Sequence, residues 1–166
     1  MDHLGKGWIV MMRNDGQDAA LFDRDWVTYQ NGFGDLNSNF WLGNEFLHQI
    51  TKDKPHELHV DLRKPGSGAY VFYSGFQVAN KDDGYRLTFD ASSYVGTGGN
   101  SLPHHNNMRF STPERDLDPV SANCAAERKT GWWFHHCSFA TPTMVPIHWG
   151  NWSPQFIDLK LRAMSP

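Results

Sequence analysis

A chain of 166 residues with a formal net charge of −3 fits one domain, large enough to bury about two-thirds of its unfolded surface. Fifteen Lys and Arg against eighteen Asp and Glu leave no basic face to neutralise phosphates, which argues against a nucleic-acid partner. Mean hydropathy is −0.58, and no apolar run approaches the roughly 18 residues of a membrane span. Aromatic residues make up 14%, beside fifteen Gly and nine Pro, so the chain reads as loop-rich with a core filled by large rings.

The amino end, MDHLGKG, has no secretory n-region or h-region. Trp8-Ile9-Val10-Met11-Met12 reads as a first strand, ended by the turn Arg13–Gly16. Phe22-Asp23-Arg24-Asp25-Trp26 starts a short helix with Asp23 as candidate N-cap, Trp26 and Tyr29 facing the core, and a stop at Asn31-Gly32. A second helix is predicted from Glu45 to Ile50, with Phe46 and Ile50 on one face.

Leu58, Val60 and Leu62 alternate with Glu57, His59, Asp61 and Arg63, the pattern of a half-buried strand. Pro65–Gly68 turns the chain into a longer strand, Ala69–Val78, and Lys81–Gly84 turns it again into Tyr85–Phe89. Sequential strands with tight turns indicate an antiparallel sheet rather than βαβ units. After Phe89 the pattern fades into long loops, which in a compact domain are functional or pinned. Phe156 to Leu161 alternates again and returns as a strand. Asn151-Trp152-Ser153 is a glycosylation sequon, but Pro154 and the expected burial of Trp152 argue against its use.

The chemistry concentrates in Arg115–Cys137, RDLDPVSANCAAERKTGWWFHHC. Asp116 and Asp118 are two apart, and Pro119 prevents a helix from running through them. In a turn, such carboxylates can converge on one cation with the carbonyls of Val120 and Ala122, giving the oxygen set of a calcium site. The alternative is a solvated acidic turn capped by Asp side chains. Two cysteines do not by themselves name a redox compartment. A Cys/His metal site or catalytic dyad would use His135, His136 and Cys137. Adjacent His residues on a strand point to opposite faces, and no acid or amide is placed to orient such a dyad.

RDLDPVSANCA, the twelve residues between the cysteines and the WW ahead of the second one resemble the fibrinogen-related domain. So do, in order, GWIVMMR, FDRDWVTYQNGFGDLNSNFWLGNEFLHQIT, GYRLTF, YVGTGGNSL, HHNNMRFST and HWGNWSPQFIDLKLRAM. The resemblance implies an α+β fold over 1–166, a single domain with a central twisted antiparallel sheet and two short helices. Its parts would be a sheet-and-helix region at 7–90, a loop-rich calcium and ligand-binding region at 91–154 and a returning strand at 155–166. It implies Ca2+ held by Asp116, Asp118 and the carbonyls of Val120 and Ala122. It also implies a Cys124–Cys137 disulfide with a cis peptide before the second cysteine.

In lectin members an acetyl group sits beside the calcium loop. Here the backbone donors would be His136 and Cys137, with Trp133, Phe134 and His135 as neighbours and Arg128 where acetyl-binding relatives often carry Tyr. Phe139–Pro146 is shorter than the family's loop and lacks its Asn-Gly-Tyr character, a departure that bears on acetyl specificity. Family members carry an amino-terminal subdomain that this sequence lacks, which should expose an edge of the sheet. The expectation is a secreted, extracellular, non-enzymatic module, a lectin for acetylated or acidic sugars on glycans or microbial surfaces. The alternative is a protein-binding module of the clotting, angiopoietin or matrix type, anchored by Phe139–Pro146.

Overall fold

The computed structural model describes residues 7–165. Seven strands form one antiparallel sheet: β1 (Ile9–Asn14), β2 (Phe33–Gly34), β3 (Phe40–Trp41), β4 (His56–Lys64), β5 (Ser67–Val78), β6 (Leu87–Gly96) and β9 (Phe156–Ala163). Their order in space is β2-β3-β1-β9-β4-β5-β6. The carboxyl-terminal strand therefore sits at the centre, paired with β1 on one side and β4 on the other. A small hairpin, β7 (Ala140–Thr141) with β8 (His148–Trp149), forms a separate two-stranded sheet.

β1 has neighbours on both sides, so the expected bare edge does not lie there; β2 and β6 are the outer strands. The near half of the β6 edge is closed by the chain itself. Leu87 exchanges backbone hydrogen bonds with Met108 and Asn107, and the Asn106 amide bonds both the N–H and the carbonyl of Phe89. Regular structure also continues past Phe89, as β6 runs to Gly96 through two register shifts against β5. Those bulges break the period-2 pattern, which is why the continuation past Phe89 is invisible in the sequence.

Among the described residues there are three α-helices rather than two. α1 (Trp26–Asn31) begins later than predicted, capped by Asp25, whose carboxylate accepts the Thr28 N–H at 2.8 Å, and not by Asp23. Glu114, from a distant loop, accepts the Trp26 N–H at 3.1 Å and fixes that start. Trp26 and Tyr29 are buried as expected, and the helix ends at Gly32 with φ 87°. α2 (Asn44–Thr51) buries Asn44, Leu47 and Thr51, whereas Phe46 is 49% exposed. Polar contacts choose that face: Asn44 accepts from the Trp41 indole, and the Thr51 hydroxyl accepts the Val78 N–H. α3 (Cys124–Arg128) was not legible as a helix because it is one turn long, capped by Asn123.

Leu58, Val60 and Leu62 join Ile157, Leu159 and Leu161 in a core whose centre is aromatic. Trp41, Tyr29, Phe110, Trp132 and Trp133 contact one another edge-on or tilted, with ring centres 4.9–6.3 Å apart. Gly131 lets these rings close: a Cβ there would come 2.6 Å from the Tyr29 ring. The other face of the sheet carries Asp158 and Lys160, 3.8 Å apart and both almost fully buried, with Asp61 opposite Asp158 in register.

Candidate functional site

The Asp116–Asp118 turn is held by its own backbone. Asp118 accepts the Val120 N–H through Oδ1 and the Cys124 N–H through Oδ2, each at 3.1 Å, and Asp116 accepts the Asp118 N–H at 3.2 Å. Burial pushes the Asp118 carboxyl above its usual range, opposed by those N–H bonds and reinforced by the Asp116 carboxylate. A cation would offset that repulsion. The Val120 and Ala122 carbonyls accept no hydrogen bond from another described residue, and Asp116 is exposed, so oxygen lone pairs remain at all four positions. Among the described residues no three or more His, Cys, Asp or Glu side chains form a metal-holding group. This donor set therefore suits an oxygen-seeking ion completed by carbonyls and water.

Asp118 also ties the turn to α3. Its Oδ2 bonds the first residue of that helix, Cys124, which is disulfide-bonded to Cys137 with Cα atoms 5.1 Å apart. Across that bridge, the His135 N–H bonds the Cys137 carbonyl at 3.2 Å, and Cys137 adopts φ 40°. The expected cis peptide before Cys137 is not found; the one cis bond among the described residues is Val145–Pro146.

Arg128 ends α3 and is exposed, as is His136, while His135 is half-buried. Trp133 and Phe134 lie elsewhere: both rings are fully buried, and the Trp133 indole donates to the Tyr85 carbonyl at 2.8 Å. They can meet a ligand only through their backbone. A WWF run reads as an aromatic platform, but a segment enclosed on both sides buries every side chain regardless of alternation.

The short stretch after Cys137 is tied down from beneath. The buried Asn14 amide donates to the Pro142 and Met144 carbonyls, Thr130 bonds the Thr143 carbonyl, and Thr143 bonds the Gly131 carbonyl. His105 accepts the N–H groups of Phe139 and Ala140 on Nε2, both at 3.2 Å, and pairs with the Trp133 carbonyl through Nδ1. What points outward is Phe139, 58% exposed, beside an open pocket of about 380 Å³. Its lining combines the bare backbone of Gly98, Gly99 and Gly150 with Asn100, Ser101, His148, Asn151 and Trp152. Burial and then the nearby Arg128 charge lower the His148 pKa. Sequence reasoning did not single out this pocket. Its signals were the glycine-rich Gly98-Gly99-Asn100 and the Gly150 between two Trp, read there only as loops.

The profile of the family described as fibrinogen beta and gamma chains, C-terminal globular domain, matches residues 1–162. Tenascin of Gallus gallus is 38% identical over 97% of this chain, which spans 10% of that protein. Among solved structures, the fibrinogen-like globe domain of human ANGPTL6 superposes with a TM-score of 0.91 at 33% identity, covering 99% of this chain and 82% of that one. Lamprey fibrin D-dimer, solved with the peptide ligand Gly-His-Arg-Pro-amide, gives 0.87 at 30% identity over 96% of this chain and 62% of that one. The chain belongs to the fibrinogen C-terminal domain family and is a fibrinogen-like recognition module. It spans about a tenth of the length of the curated tenascins it matches.

Proposed function

We propose that the chain is an extracellular, calcium-dependent module that recognises a protein partner through the face containing Arg128, His136, Phe139, His148 and the pocket. The observation that carries this reading is Phe139, an exposed ring on a loop fixed from below beside an open pocket. A large apolar side chain on a rigid support, rimmed by polar groups, is the anatomy of an interface anchor. Arg128 adds a preference for a carboxylate on the partner. The lamprey structure with its peptide ligand supports the same ligand class. Calcium at Asp116, Asp118, Val120 and Ala122 would hold the loop that positions α3 and, through the disulfide, the 135–137 turn. The test is capture of biotinylated extracellular proteins and peptides on the folded domain. Phe139→Ala should lower affinity by about tenfold or more, and Arg128→Ala should weaken acidic ligands most. Retained binding in both variants would move the site elsewhere.

A lectin reading rests on a separate observation. Trp152 and Phe139 with the amides of Asn100 and Asn151 give the pocket rings and neutral hydrogen-bonding groups suited to a sugar. A glycan array decides between the two. Saturable sugar binding abolished by Trp152→Ala supports the lectin, and a blank array supports the protein partner.

A further inference from the structure

We propose that His104 and His135 form a two-imidazole binding site for a borderline divalent cation such as zinc or nickel, separate from the Asp116–Asp118 turn. The two rings lie with centres 4.8 Å apart and planes 41° apart. Two imidazoles sharing one zinc at about 2.0–2.1 Å in near-tetrahedral geometry have ring centres about 5 Å apart, so little movement is required. His104 Nε2 is buried and has no hydrogen-bond partner, an orphaned group that calls for an occupant. Burial and then the neighbouring His135 hold the His104 pKa down, and the His136 backbone acts the other way.

Both supports are rigid. His104 sits in the single 3-10 turn Leu102–His105, whose last residue is held by three hydrogen bonds. His135 is tied back to Cys137, which the disulfide anchors to α3. Phe139 stacks on His104 with ring centres 4.1 Å apart. It covers one face of the imidazole, and its exposed position leaves it free to swing aside and admit the ion. Nitrogen donors without carboxylates exclude calcium and magnesium here and favour zinc, nickel or copper. With two protein donors the remaining positions fall to water or to a carboxylate or imidazole of a bound partner.

Titration calorimetry of the whole chain with zinc chloride, in calcium-containing buffer, tests the site. One saturable equivalent is expected, unchanged in Asp116→Ala and lost in His104→Gln and in His135→Gln, with His136→Gln retaining it. Histidine side-chain NMR should shift the His104 and His135 rings together as zinc is added. If His104→Gln does not fold, His135→Gln and the NMR shifts decide alone. No saturable zinc binding in the native chain, or zinc binding unaffected by His135→Gln, overturns the proposal.

Discussion

His105 shows how one side chain sets the shape of the loop that carries Phe139. Its Nε2 accepts two backbone N–H groups, so Nδ1 carries the proton and donates to the Trp133 carbonyl. Burial drives its pKa down from 6.5 to about 3. The folded state thus binds the proton less readily than the unfolded chain. The resulting stability is complete above the unfolded value and is lost as pH falls from about 6.5 towards 3. Melting curves between pH 7.5 and 4 should therefore drop with acidity, and His105→Gln should lower the neutral value while flattening that slope. An unchanged slope would assign the acid sensitivity to other groups. At the same scale, the native chain should show a rise in Tm near millimolar calcium, the affinity range of weak extracellular sites at roughly 10⁻⁴ to 10⁻³ M, and Asp116→Ala should remove it. Identical melting in chelator and in calcium would refute the metal assignment.

Among elements, the Phe139–Pro146 stretch stands out because buried side chains, not regular structure, hold most of it. Asn14 reaches it from β1 with two hydrogen bonds at 2.9 and 3.1 Å, linking residues 128 and 130 positions apart. Truncating it would leave buried carbonyls unpaired, at about 1–3 kcal/mol. Asn14→Ala should lower stability in chemical denaturation by that amount and raise amide exchange at Phe139 and Ala140. Exchange confined to β1 would show that the loop holds itself. Local pattern predicted β4, the buried residues of α1 and the core contact of Ile50, yet misplaced the α1 cap and put the exposed Phe46 on the buried face of α2. Asp25 and Asp23 are equivalent in composition, and only the distant Glu114 carboxylate at the Trp26 N–H fixes where the helix begins.

Over the whole molecule, the central position of β9 makes the sheet depend on a contact between the chain's two ends. The disulfide is the opposite kind of link, joining positions 13 apart. Closing so short a loop removes unfolded-state entropy worth about 3 kcal/mol. Reduction with a phosphine should lower the denaturation midpoint accordingly while leaving the sheet's circular dichroism intact below it. No shift would mean that the loop is already ordered in the unfolded chain. The global pH profile sets two effects against each other. Burial lowers the pKa of His59, His104, His105 and His148, which weakens the fold in acid. Burial raises Asp158 to about 6, which stabilises the fold as pH falls from about 6 towards 3.8. Asp158→Asn should therefore make acid denaturation steeper between those values.

The sequence by itself determined what depends on neighbouring residues. The alternation of Leu58, Val60 and Leu62, the turns at 65–68 and 81–84 and the spacing of Asp116 and Asp118 are local, and so is the order of motifs that marks the family. The Cys124–Cys137 pairing, expected from that family resemblance, is present in the structure. Only the tertiary structure decided that Trp133 and Phe134 are core, that β6 continues through its bulges, and that Gly98–Ser101 meets His148–Trp152 across a pocket. The same holds for His104 and His135, whose rings meet although 31 positions separate them. Burial and ring contacts of this kind depend on which distant segment closes over a residue, and a strand's period carries no information about that.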